Sequence, residues 1–307
     1  MTGNELGEFL KARRAMVAPD PAFLGDPRAR RVPGLRREEV AQLSGLSADY
    51  YTRLEQGRHR SPSENVLNSL ADALELDSSA RQHLFALARA AVGASRPDAT
   101  HRLVQRVRPS LHQLLDSLPH LPAFVRGRRT DVLAMNPMAR FVLHDFMVEP
   151  VRQRNLLRWA LLDPEARTRY RDWEATVSSM VGTLRMDAGR HPDDPLLKEL
   201  VGDLAVRSEE FRGWWAEQRV VERTAGVKRF NHPMVGELDV DYEALDVAGE
   251  EDQTLFVYTT RPGSESERKM RLIAGWVNEK APNTQDSDTD ESAGGQGLPQ
   301  EASDREE

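Results

Sequence analysis

The 307-residue chain contains no cysteine, which removes disulfides, thiolate metal sites and cysteine nucleophiles together and suits a reducing compartment. No apolar run approaches the ~20 residues that a membrane-spanning helix requires. The opening MTGNELGEFLKARRAM likewise has no long apolar segment. A soluble, cytoplasmic protein with no membrane partner is therefore expected. The eight histidines form neither an HExxH pair nor a cluster at ligand spacing, so no metal is expected. A nucleophile elbow, a phosphate-binding glycine loop and a pair of carboxylates at catalytic spacing are also missing. These absences weigh against an enzyme, and no catalytic residue or cofactor is assigned.

An excess of positive charge is missing too. The chain carries 42 Lys and Arg against 49 Asp and Glu, a formal charge of −7. Residues 277–307 hold nine acids against Lys280 and Arg305, so this stretch accounts for the whole imbalance. With no aromatic residue after Asn278, it cannot bury enough to order itself and reads as a disordered acidic tail. Residues 1–95 hold 13 bases and 12 acids, so any electrostatic attraction for a polyanion must be local. Arg28, Arg30, Arg31, Arg36 and Arg37 supply such density within ten residues.

What is present is a pair of short helical patterns in residues 36–57, RREEVAQLSGLSADYYTRLEQG. Glu38, Glu39, Val40, Ala41 and Leu43 carry the first, which stops at Ser44-Gly45, where glycine permits a helix-ending positive φ. Ser47 stands as the N-cap of a second helix over residues 48–56, closed by Gly57. Two helices so spaced fit a helix-turn-helix, which presents the N-terminal half of its second helix to the DNA major groove. Leu46, Tyr51 and Leu54 share the face that packs on Val40 and Ala41. Ala48, Asp49, Thr52 and Arg53 then point outward, with Tyr50 at the edge. Periodicity alone also fits a plain two-helix hairpin in a bundle.

The residues decide further when taken jointly. Arg14, the run from Arg36 to Ala41, the Gly45-Leu46-Ser47 turn and Arg53-Leu54-Glu55-Gln56-Gly57 resemble the XRE-type (Cro/phage-repressor-like) helix-turn-helix over roughly the first 90 residues. The wording VPGLRREEVAQLSGLSADYYTRLEQGR followed by SPSENVLNSLADAL is similar to the MmyB-like subgroup. That resemblance implies a C-terminal PAS-like ligand-binding domain, an Arg14–Glu55 ion pair inside the first domain, and fatty-acid-like ligands. The candidate DNA contacts are Arg36, Arg37, Ser47, Ala48, Asp49, Tyr50, Thr52, Arg53, Arg58 and Arg60. Among these, Arg37 suits a phosphate because it opens the preceding helix. The Arg58-His59-Arg60 triplet would lie beside the DNA.

The remaining pattern gives a multidomain chain: an all-α five-helix domain, then an α+β domain with an antiparallel sheet. The first helix spans about residues 5–17. A proline-rich connection over residues 18–35 follows, in which Arg28, Arg30 and Arg31 either grip DNA or merely keep a loop soluble. Helices from Ser63 and over residues 78–91 complete a domain of residues 1–93, and residues 94–104 read as a linker. In residues 105–276 a helix with Val107, Leu111, Leu114, Leu115 and Leu118 precedes a hairpin, residues 122–125 and 132–135, whose turn is polar. Helices follow over residues 136–145, 156–162, 164–188, 195–206 and 209–218. Strands over residues 221–230, 237–244 and 254–260 close the domain, the alternation of residues 237–244 being the strongest strand signal in the chain.

Such a sheet covered by helices commonly encloses a small-molecule cavity, against the alternative of a solid core. Arg152, Arg154 and Arg158 beside Leu156, Leu157, Trp159, Leu161 and Leu162 suggest a cation at the mouth of an apolar cavity. Arg154 is the candidate carboxylate anchor, with Trp159 and Tyr242 as walls. The expected partners are double-stranded DNA, a small amphiphilic ligand and a second copy of the chain, since two-fold readers gain affinity from two half-sites. Two alternatives stay open: a second domain that only dimerises, and an enzyme using Asn231-His232 or the Tyr242 strand.

Overall fold

A computed structural model describes residues 4–19, 34–59, 61–91, 105–221, 224–250 and 252–280. The first five helices are α1 (Glu5–Met16), α2 (Arg37–Leu43), α3 (Ala48–Glu55), α4 (Glu64–Ala73) and α5 (Ser78–Ala91). Side-chain caps set the starts of α3, α4 and α5. Ser47 Oγ accepts from the Tyr50 amide at 3.1 Å, and Asp77 Oδ1 accepts from that of Ala80 at 2.8 Å. Gly45, at φ +67°, makes the turn between α2 and α3 that a side chain would strain. Phe9, Leu10, Val40, Tyr51, Leu54, Leu70 and Leu84 are fully buried in one core. Arg28, Arg30, Arg31, Arg60, the expected linker and residues 281–307 lie outside the described residues.

The second unit follows as α6 (Pro109–Asp116), β1 (Ala123–Arg126), β2 (Val132–Met135), α7 (Pro137–Val142), α8 (Leu156–Leu162), α9 (Pro164–Arg169), α10 (Trp173–Arg190), α11 (Pro195–Arg207) and α12 (Glu209–Ala216). It closes with β3 (Ala225–His232), β4 (Gly236–Asp246), β5 (Thr254–Thr259) and α13 (Glu265–Lys280). The strands form one antiparallel sheet ordered β2-β1-β5-β4-β3. Pairing of Phe124 and Ala244 with Phe256, and of Tyr242 with Tyr258, fixes the register. Side chains alternate along a strand, so Phe124, Arg126, Tyr242, Phe256 and Tyr258 share an inner face. The helices α7 to α10 and α13 help to bury that face, while Leu111 and Leu115 of α6 pack on Ala123, Val125 and Leu255 behind it.

Four expectations change. The helix expected over residues 164–188 breaks after Arg169. There Tyr170 bridges to Phe230 and the Arg171 amide donates to the Arg229 carbonyl at 2.9 Å. Pairing with edge strand β3 outweighs the helical pattern at that point. The turn of the first hairpin is polar but not exposed: Arg128 and Arg129 are buried, and Arg129 and Thr130 adopt positive φ. Arg129 donates to Asp194 at 2.5 Å and to Asp131 at 2.9 Å, and Asn155 donates to the Arg129 carbonyl at 2.7 Å. A buried charge must be paired in this way to be tolerated. The third strand begins at Ala225 rather than residue 221. Finally, α13 was not expected at all. Ser264 and Glu267 cap its start, with the Glu267 amide on Ser264 Oγ at 3.1 Å, and it runs past residue 276 to Lys280.

The two units touch through α5 and α10. Met186 of α10, together with Val220, joins the buried core of the first unit. Gly189 faces the His83 ring so closely that an added Cβ would lie 2.4 Å from it. From α1, Arg13 donates to the Gln218 carbonyl at 3.1 Å.

Candidate functional site

The helix pair leaves its second helix open on one side. Ser47, Ala48, Asp49 and Arg53 are exposed, Tyr50 and Thr52 half-buried, and Tyr51, Leu54 and Glu55 buried. The outer face of α3 thus offers an acid, a cation, a hydroxyl and a phenol, the side-chain types that read base edges. Arg53 and Asp49 pair at 2.6 Å with both groups well exposed, a contact weak enough for DNA to exchange. Tyr50 rests on His59 with ring centroids 4.8 Å apart. Arg36 and Arg58 are exposed at the flanks.

Behind that face sits a buried carboxylate. Glu55 receives Arg14 Nε and Nη2 at 3.0 and 3.1 Å, and Arg37 Nε and Nη2 at 3.1 and 2.9 Å. Burial pushes the Glu55 carboxyl up, but the two guanidinia outweigh it and hold the pKa below its ordinary value. The Arg14–Glu55 pair implied by resemblance is therefore present, and it is not solvated: the side chains are 11% and 2% exposed. Arg37 differs from expectation. Its guanidinium is turned to Glu55, where it ties α2 to α3 instead of standing free for a phosphate.

In the second unit a cavity of about 820 Å³ lies between the inner face of the sheet and α10, within the usual range for small-molecule sites. Phe124, Tyr242, Phe256 and Tyr258 form its aromatic wall, and Met180, Thr183 and Met186 face them from α10. Arg126 enters it from β1, its guanidinium 4.7 Å from the centroid of the Phe256 ring. Among the described residues the Arg126 guanidinium makes no hydrogen bond and no ion pair. Crowding by protein atoms draws its pKa down, against a raising influence from Asp187. The Asp187 carboxyl is pushed up by burial, partly offset by Arg126 and by the Arg129 amide that it accepts at 3.0 Å. Lys228 adds a second cation, 5.4 Å from the Tyr242 ring centroid.

Of the three residues expected at a ligand, the cavity includes only Tyr242. Arg154 is turned away from it and donates to the backbone carbonyls of Glu149 and Met147 at 2.9 and 3.0 Å, satisfying the end of the 3-10 turn Phe146–Val148. Trp159 is buried against His144, Phe146 and Tyr170. The cation that does face the cavity was missed, yet the sequence carried its signal. In Ala-Phe-Val-Arg, alternation places Arg126 on the same side as Phe124. Among the described residues no group of His, Asp and Glu could hold a metal ion, and no helix is long and apolar enough to cross a membrane.

An exposed reading helix joined to a domain with a cavity defines a class, the ligand-sensing transcription regulators. Comparison with known proteins gives the same two parts. Residues 5–84 match a helix-turn-helix domain, and residues 107–273 match the MmyB-like transcription regulator ligand binding domain. The chain belongs to the MmyB-like family of regulators. A search of curated proteins finds no match to it.

Proposed function

We propose that the protein is a cytoplasmic, homodimeric regulator that reads a specific DNA sequence through α3 in the XRE manner and senses a fatty-acid-like amphiphile in the cavity. The strand order and the helices over one face support a PAS-like sensor. One observation carries the ligand assignment: a cation whose guanidinium makes no hydrogen bond or ion pair among the described residues stands in an aromatic-walled cavity. A carboxylate would satisfy Arg126 through a charge-assisted, two-pronged contact, while the aromatic wall and Met180 accept a hydrocarbon chain. No catalytic step is assigned. Both ring nitrogens of His232 are engaged, with the Phe141 carbonyl at 3.0 Å and the Met234 amide at 3.3 Å, and Asn231 is exposed on β3.

Binding of dodecanoate and of dodecanol to the full chain tests this assignment. The acid should raise the melting temperature, as any ligand selective for the folded state must. Arg126→Gln should weaken the acid at least tenfold and leave the alcohol unchanged. Equal losses for the charged and the uncharged ligand would remove Arg126 from the site. A second domain that serves only to dimerise would give no shift with either ligand.

A further inference from the structure

The cavity is not walled by the second unit alone. Ala86, Arg89 and Ala90 of α5 belong to its lining, and α5 is part of the DNA-reading unit. Across from them α10 works in two directions. Met180 and Thr183 face the cavity, Gly189 fits against His83 of α5, and Met186 does both, lining the cavity and sitting in the buried core with Leu84 and Leu87. From His83 the contact continues inward, with its ring edge-on to Phe9 of α1 at 5.2 Å. Asn4, just before α1, donates to the Glu55 carbonyl of the reading helix at 2.9 Å. Packed, space-filling contacts thus run from the cavity wall to α3.

We infer that the ligand site belongs to both domains: α5 of the DNA reader completes the cavity wall, and Met186 links its occupancy to the seating of the reading unit. This rests on a ligand occupying the cavity as proposed above. An amphiphile that fills the space touches α5 as well as the sheet, so part of its binding depends on how the two domains are seated. Linkage is reciprocal: whatever factor the ligand imposes on DNA affinity, DNA imposes on ligand affinity. The small side chains of Ala86 and Ala90 matter here because they leave room, and a large side chain at either position would occupy the ligand's space from the DNA-binding side.

Calorimetric titration of the full chain with dodecanoate provides the test, using wild type, Ala86→Trp and Arg126→Gln. Ala86 is half-buried on the surface of α5, so the substitution should leave the far-UV circular dichroism unchanged. Ala86→Trp is expected to weaken dodecanoate at least tenfold although it alters no residue of the ligand-binding domain. If dodecanoate binds wild type and Ala86→Trp equally while Arg126→Gln loses it, the ligand reading stands and the shared wall is overturned. If dodecanoate binds no variant, the ligand reading fails, and hydrogen exchange without ligand decides the shared wall. Met186→Ala should then speed exchange in both α5 and the cavity-facing strands, and faster exchange in only one of them, or in neither, would overturn the linkage.

Discussion

Glu55→Ala removes the acceptor of two guanidinia from the middle of the DNA-reading unit. Two unit charges ~4 Å apart attract by about 4 kcal/mol at an effective dielectric constant near 20, and desolvation returns part of this. Removing one partner of a buried pair generally costs ~3 to 5 kcal/mol, because the other charge is left behind. Arg14, 11% exposed, would keep no charged partner, only neutral ones such as the Leu35 carbonyl, to which Nη1 donates at 2.8 Å, and the Tyr51 hydroxyl. Arg37 is 44% exposed and can return to water, so its share is below about 1 kcal/mol. Glu55→Ala should therefore cost about 3 kcal/mol, Glu55→Gln somewhat less because an acceptor remains, and Arg37→Ala about 1 kcal/mol or less. Urea unfolding can isolate the effect, because all five tryptophans fall at Trp159 or later. The loss should appear in circular dichroism at lower urea than in tryptophan fluorescence. A Glu55→Ala protein within about 1 kcal/mol of wild type would refute the reasoning, since the ion pairs would then be replaceable by water.

Two further outcomes follow from groups already described, alongside those for Arg126 and Ala86. Burial lowers the His83 pKa to about 3, and Arg185, Arg13 and Arg190 push the same way. The folded state therefore stays unprotonated while the unfolded chain takes up a proton below about pH 6.5, so stability falls on acidification by up to about 1.4 kcal/mol per pH unit. Urea midpoints at pH 7.0 and 5.5 should separate less in His83→Gln than in wild type, and an identical separation would exclude His83 as the source. Thr52→Ala and Arg53→Ala should each cost ~1 to 3 kcal/mol on a duplex selected by the protein and barely change binding to a scrambled one. Equal losses on both duplexes would make Arg53 a backbone contact.

The reading unit was legible because its signals are local. The Ser44–Ser47 turn, the Ser47 cap and the helical spacing of Tyr51 and Leu54 each concern residues within one or two helical turns. The features that were missed depend on residues far away in sequence. No glycine or proline lies between Glu165 and Val181 to break a helix by composition, and the break at Tyr170 exists because Phe230, 60 positions later, needs a strand partner. Arg154 and Arg126 were equally plausible anchors by residue type. Their roles separate only when β1 pairs with β5 and the Met147 and Glu149 carbonyls claim the Arg154 guanidinium. The α13 start, Ser264 to Glu267, was readable as a capping box, but its charged sequence, Glu-Ser-Glu-Arg-Lys, resembles the solvated tail beyond it.

The closeness of Gly189 to the His83 ring has a consequence for evolution and for engineering. Any relative that acquires a side chain at position 189 must shrink position 83 or move the two helices apart, so these positions, in different domains, should vary as a pair. A chimera that joins this DNA reader to another sensor domain would inherit only half of that pair. Such a hybrid should fold in each part yet lose the seating between them, unless residues 83 and 189 are transferred together.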